Sequence, residues 1–376
     1  MIGFQDLKIS NAPFMEDLAA AAGRVIRSGR YINGPEVAEF ERELADIVGV
    51  RHCVAVSTGL DALRLILRAY IHLGRLQPGD EVVVPANTFI ATFLAVTDCG
   101  LTAVAADVDP STFCLDFSRL PVSGKTKAVI AVHLYGHPCL DETTVSSLHE
   151  RSLLVIEDAA QAIGASADGL MAGAIADAAA FSFYPAKNIG ALGDAGAVTT
   201  DDEALVYTVR KLANYGSMVK YSHELCGLNC RMDELQAALL MVKLPHTAEI
   251  TDARNRRAAL YSRLIVNPDV TLPSFPREGM VSAWHQYVIC HPRRDDLRRY
   301  LASHGVGTEI HYPVPCHRQP CYAPSHLLLK TAPEGLPMAE SLASRILSLP
   351  IADVSPEDIN VIANLINDFK ACLQEI

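Results

Sequence analysis

Short apolar runs recur along the first two thirds of the chain, and several are apolar on both faces. They are His52–Val56, Glu81–Pro85, Thr102–Ala106, Ala128–Leu134, Leu153–Glu157, Ala178–Phe183 and Ala197–Thr200. A strand can bury both faces only where other layers cover both, which is the condition inside a parallel sheet flanked by helices. Between these runs the period changes. Val37, Phe40, Leu44 and Ile47 recur at helical spacing before Gly49, and Leu60, Leu63, Leu67 and Ile71 repeat the pattern. The alternation predicts an α/β fold with a mainly parallel sheet.

The character shifts near Leu244–Pro245. A polar helical stretch from His246 to Leu264 leads into short strands around Gln286–Cys290 and Thr308–Tyr312, then a terminal helix. Two domains are expected, a large α/β domain over 1–245 and a smaller α+β domain over 246–376. The formal net charge of −11 argues against a general nucleic-acid or membrane-surface binder. No run reaches the roughly 18 apolar residues of a membrane helix. The start MIGFQDLKIS lacks a secretory leader, and the ten cysteines are scattered singly, so reduced thiols and a cytoplasmic location are expected. Cys226/Cys230 and Cys316/Cys321 have the wrong spacing for a zinc ribbon or redox pair, and no metal site is expected.

In open α/β sheets ligands sit beyond the carboxyl ends of strands. LLVIED delivers Asp158 there, after buried apolar residues, where a carboxylate is costly without a positive partner; taken alone, such a residue is more often a helix N-cap, and a metal ligand is disfavoured because no neighbouring His or carboxylate completes a set. The next run continues into SFYPAKNIGALGDAGAV, which carries Ser182, then Lys187 among small and apolar residues. Desolvation there would lower the lysine's pKa and expose a neutral amine. The glycines form neither a dinucleotide fingerprint nor a P-loop. AVSTGLDALRLIL is a strand, a turn and a helix start, and its free amides could hold a phosphate. A cofactor with a phosphate, a protonated ring nitrogen and an aldehyde would use all three elements.

At these residues the chain resembles the DegT/DnrJ/StrS sugar aminotransferases, most closely in PANTFIAT, DVDPSTFCLD, HLYGHP, IEDAAQAIGA, SFYPAKNIGALGDAGAV, NYGS and GLNCRMDELQAALL. The resemblance implies the fold type I transferase architecture and pyridoxal 5′-phosphate as cofactor. It implies that Lys187 forms the imine and shuttles protons, and that Asp158 holds the ring nitrogen. Gln161 would meet the phenolic oxygen and Phe89 would stack on the ring. Thr58, Gly59, Leu60 and Ser182 would cradle the phosphate, and Asn229 would reach it from a neighbouring subunit in a homodimer with shared sites. Thr58, Ala195, Cys230 and His137 depart from the residues usual in the family, and none of them is a catalytic group.

By the same resemblance, glutamate donates the amino group and a nucleotide-linked keto-sugar accepts it. TGLDAL with TFIATFLAV looks most like members acting on dTDP-3-keto-6-deoxyhexoses. Lys220, Arg231 and His311 are candidates for the diphosphate, with an exposed loop charge the plain alternative for Lys220. Tyr31, Tyr184 and Tyr312 are candidates for the sugar pocket. The competing readings are a 4-keto-sugar aminotransferase, a regulatory protein that keeps the cofactor without turnover, and a desulfurase using Cys316 or Cys321.

Overall fold

The computed structural model describes residues 1–322 and 327–370. Eight strands form one sheet: β1 (His52–Val56), β2 (Glu81–Pro85), β3 (Thr102–Ala106), β4 (Thr126–Val132), β5 (Leu154–Asp158), β6 (Ala178–Ser182), β7 (Gly196–Thr200) and β8 (Leu329–Thr331). Their order is β1-β7-β6-β5-β4-β2-β3-β8. Only β7 runs against its neighbours, so the carboxyl ends of the other strands share one edge.

The covering helices explain why the strands are apolar on both faces. After a short helix, Leu7–Asn11, come α1 (Met15–Ser28), α2 (Pro35–Val48) and α3 (Gly59–His72). Helix α2 buries Val37, Phe40, Leu44 and Val48 and ends at Gly49, whose left-handed φ of 85° suits glycine. Helix α3 buries Leu63, Ile66, Leu67 and Tyr70 and begins at Thr58, whose side chain accepts from the Asp61 amide. They are followed by α4 (Ile90–Thr97), α5 (Glu203–Ala213) and α6 (Glu234–Lys243).

Helix α7 (Thr247–Leu264) then leads into a separate two-stranded sheet of Tyr287–Cys290 against Ile346–Leu349. Tyr261, Leu347, Leu349, Ile359 and Ile362 pack there in a core of their own. The helix Pro356–Asp368, α8, closes that core.

Three expectations need correction. The Ala128–Leu134 run forms strand only to Val132, because Tyr135 and Gly136 adopt left-handed conformations and turn the chain. Thr308–Tyr312 is not a strand; only Glu309 bridges, antiparallel, to Ser348. Five strands were not anticipated: Ile346–Leu349, β8, which pairs in parallel with β3, and the two-residue strands Ser166–Ala167, Leu170–Met171 and Met280–Val281, which form a small sheet of their own. Among the described residues, no helix is long and apolar enough to cross a membrane.

Candidate active site

The carboxyl edge of the sheet gathers the site. Asp158 ends β5 and is buried. Its Oδ2 accepts from Thr92 Oγ1 at 2.8 Å, and its Oδ1 accepts from the Ala160 amide at 3.2 Å. Thr92 is itself buried on α4 and hydrogen-bonds Thr88 Oγ1 at 2.9 Å. Burial raises the Asp158 pKa despite these donors and despite nearby Lys187.

Lys187 lies on the turn after β6. The turn is closed by the Lys187 amide donating to Tyr184 O and the Ala191 amide donating to Phe183 O, both at 2.8 Å. Gly190 is obligatory here, since a Cβ would lie 2.3 Å from Pro185 O. Burial pushes the Lys187 amine down to about 8, against the pull of Asp158. Desolvation outweighs attraction at both groups, so each is driven toward its neutral form.

The start of α3 comes close behind. A Cβ on Gly59 would sit 2.7 Å from Ser182 Cβ, and one on Gly196 would sit 2.4 Å from Thr58 C. The amides at the start of α3 therefore lie against Ser182 at the end of β6. The Asp61 carboxylate on this turn is occupied by Ser57 at 2.6 Å, Thr58 at 3.0 Å and Arg64 at 3.0 Å.

Phe89, Gln161 and Tyr312 line one wall. The Phe89 and Tyr312 rings are 5.3 Å apart, and Phe89 is 52% exposed, so its face is available for stacking. Gln161 Oε1 accepts from the Tyr135 amide at 2.5 Å, while its Nε2 donates to Tyr312 OH at 3.3 Å. The Tyr135 hydroxyl donates to His311 O, and His311 Nδ1 meets Ser348 Oγ at 2.8 Å. Burial, followed by the Lys187 charge, lowers His311 to about 4, which leaves its imidazole neutral at pH 7.

Residues 14–367 match the DegT/DnrJ/EryC1/StrS aminotransferase family. The chain belongs to this family. It is 44% identical, over 93% of its length and 91% of the relative's, to a dTDP-3-amino-3,4,6-trideoxy-alpha-D-glucose transaminase of Streptomyces venezuelae. The crystal structure of S. venezuelae DesV in complex with a ketimine intermediate superposes with a TM-score of 0.91 at 42% identity, covering 98% of both chains. The structure of NtdA from Bacillus subtilis with bound cofactor PMP matches with a TM-score of 0.83 at 29% identity, over 97% of this chain and 84% of that one.

In this member of the aminotransferase family, the remaining expected residues make contacts of their own. Lys220 is exposed and lies over its neighbour Tyr221, 4.9 Å from the ring centre. Tyr31 is exposed, its hydroxyl donating to Ile26 O at 3.3 Å, and Tyr184 is 56% exposed. Asn229 is exposed, on a segment whose Cys230 carbonyl accepts from the Ser57 amide at 3.2 Å. That contact sets the segment beside the turn that starts α3. Arg231 donates to Asn214 Oδ1 at 2.8 Å and stacks over Tyr215.

Three residues were missed by sequence reasoning. Thr92 lies one helical turn after Phe89, in the same TFIAT block, and that spacing was the available signal. Asn188 bonds Ala283 O at 2.8 Å and His285 Nδ1 at 3.2 Å, tying the lysine turn to the segment before Tyr287. Burial, then Lys187, pushes His285 well below its ordinary value. No local pattern in SAWHQY marks that histidine. Among the described residues, no cluster of His, Cys, Asp and Glu could hold a metal ion.

Proposed function

We propose that this chain is a pyridoxal 5′-phosphate-dependent aminotransferase that moves an amino group from glutamate to a nucleotide-linked keto-sugar. The observation that carries the reading is the Lys187–Asp158 pair. A buried amine and a buried carboxylate, each driven toward neutrality, suit a cationic ring and an aldehyde lying between them. The turn at Thr58, Gly59 and Leu60 fits a phosphate, since it starts helix α3 and the missing Cβ of Gly59 lets its amides come close to Ser182. Bound PMP in the B. subtilis relative supports the same cofactor here.

When bound, pyridoxal phosphate supplies an electron sink for the carbanion left as the substrate carbon loses its proton. Asp158, fixed by Thr92 and the Ala160 amide, holds a proton on the ring nitrogen through its carboxylate. Gln161 keeps its Oε1 on the Tyr135 amide and one Nε2 hydrogen on Tyr312 OH, so its second Nε2 hydrogen would donate to the phenolic oxygen. Phe89 covers one face of the ring and excludes water there. Lys187 Nζ, close to half-protonated near pH 8, takes the α-proton of glutamate and returns one to the acceptor carbon. His311, neutral and held by Ser348, offers a hydrogen-bonding ring to the sugar side without adding charge.

The acceptor we favour is a dTDP-3-keto-6-deoxyhexose, supported by the 3-amino product in the name of the S. venezuelae relative. Lys220, Arg231, Tyr31, Tyr184 and Tyr312 are proposed to line the nucleotide and sugar path. We read the working unit as a cytoplasmic homodimer in which Asn229 serves the partner's phosphate turn. The domain division is read as 1–245 for the cofactor and 246–376 for the covering part, with β8 crossing back to the large sheet.

The test is the visible spectrum of purified protein before and after glutamate. Conversion of the imine band to the amine form is expected, and Lys187→Ala is expected to abolish both the band and transamination. Full activity in that variant would end the reading. Cofactor that glutamate cannot convert would favour a regulatory role. Incubation with glutamate and dTDP-linked 3-keto and 4-keto sugars settles the carbon, with amination at carbon 3 expected.

A further inference from the structure

A cavity of about 370 Å³ lies behind the catalytic turn, bounded by the N-terminal segment, α7 and the loop at Asp353. Two arginines line it, Arg254 and Arg257, with two lysines, Lys187 and Lys243, whose amines burial pushes down to about 8. Two are almost wholly buried, Lys243 at 6% and Arg254 at 5% exposure. Their hydrogen bonds go to neutral carbonyls. Lys243 Nζ donates to Gly190 O at 2.7 Å, and Arg254 Nη1 to Trp284 O at 3.0 Å and His285 O at 3.2 Å. Arg257 Nη1 donates to Ala352 O at 2.6 Å and Ile351 O at 3.4 Å.

The acids on the wall are already engaged. Asp353 accepts from the Ser10 hydroxyl at 2.8 Å and the Asp6 amide at 3.3 Å, and Glu249 meets His246 at 3.0 Å. Among the described residues, none of Lys243, Arg254 and Arg257 has a carboxylate within the 4.0 Å of an ion pair. Asp353 acts on the two arginines only at longer range. Buried cations without a counter-charge are costly, and charge-assisted bonds to an oxyanion would offset that cost. The volume is at the lower end of small-ligand sites.

We propose that this cavity is a second anion site, separate from the turn at Thr58–Leu60, which takes a small dianion with its oxygens spread between Lys243 and Arg257. Inorganic phosphate and a short dicarboxylate share that chemistry. Lys187 lines it too, so the cavity borders the cofactor site, but neither Lys243 nor Arg257 is among the residues proposed to hold the cofactor.

Equilibrium dialysis of the holoenzyme against labelled inorganic phosphate, with succinate as competitor, provides the test. One saturable phosphate per chain is expected, weakened about tenfold or more in Lys243→Met and in Arg257→Gln. Displacement by succinate would assign the site to dicarboxylates, and resistance to it would assign the site to phosphate. Because Lys243 also fastens Gly190 and Arg257 fastens Ala352, the unfolding midpoint of each variant is measured beside its binding, and weakened binding with an unchanged midpoint is expected. Absence of saturable binding, or binding equal to wild type in both variants, would overturn the proposal. Glutamate-driven spectral change of the wild-type protein is read separately, so failure of this proposal is distinguishable from failure of the cofactor reading.

Discussion

Thr92 decides how Asp158 can work. A buried carboxylate with its ionisation driven upward needs a fixed donor, and Thr92 supplies the shorter of its two hydrogen bonds. Thr92→Val should leave Asp158 short of a donor and destabilise the fold by about 1–3 kcal/mol. It should also slow the glutamate half-reaction at least about tenfold, read by single-turnover spectroscopy. Lys187 carries a pH signature of its own. Its folded pKa of about 8 lies below the ordinary 10.5, so between those values the unfolded chain holds more protons and stability rises with pH. Below pH 8 the buried charge costs its full amount. Lys187→Met should therefore raise the stability of cofactor-free protein at pH 7 by about 1–3 kcal/mol, with the gain shrinking toward pH 10.5. Urea unfolding of both proteins across that range would check the sign. The burial of Asp158 and Lys187 at strand ends was legible in the sequence, because each follows an apolar run where an ionisable group is anomalous; their proposed roles come from the family resemblance. Thr92 was not, since a threonine among apolar helix residues is ordinarily packing.

At the scale of elements, the turn after β4 does more than end a strand. HLYGHP continues the apolar run of β4, which is why the sequence extends the strand to Leu134. The structure stops at Val132 because Tyr135 and Gly136 must bring the chain under Gln161 and His285. A Cβ on Gly136 would lie 2.8 Å from Gln161 O and 2.9 Å from the His285 amide, at a φ of 87°. Gly136→Ala should cost about 1–3 kcal/mol by strain and clash, measured by chemical denaturation. The β1–α3 turn makes a cleaner functional case. Gly59→Ala would press on Ser182, so cofactor affinity should fall at least about tenfold, a loss larger than the clash alone takes from the unfolding midpoint of cofactor-free protein. Fluorescence titration of the cofactor would separate the two. Here the sequence was sufficient, since a strand, a small-residue turn and an amphipathic helix are local patterns; the Gly136 crossing depends on residues far along the chain.

For the whole molecule, seven strands of the large sheet were legible from apolar runs and the eighth was not. β8 has only three residues, is half exposed, and pairs with a partner more than two hundred positions earlier, so no local pattern announces it. Lys330 anchors it, donating to Glu81 Oε1 at 2.6 Å. A fragment ending at residue 245 lacks β8 along with Val288, Cys290 and Cys316, which pack into the main core. Such a fragment should expose apolar surface and aggregate, which light scattering would detect; a monodisperse, cooperatively folding fragment would contradict this. The same strand has a consequence in time. During synthesis, β3 emerges more than two hundred residues before β8, so its backbone edge stays unpaired while most of the remaining chain is made. The nascent protein is therefore most vulnerable to wrong pairing late in translation, and ribosome-associated protection would matter most just before Leu329 appears.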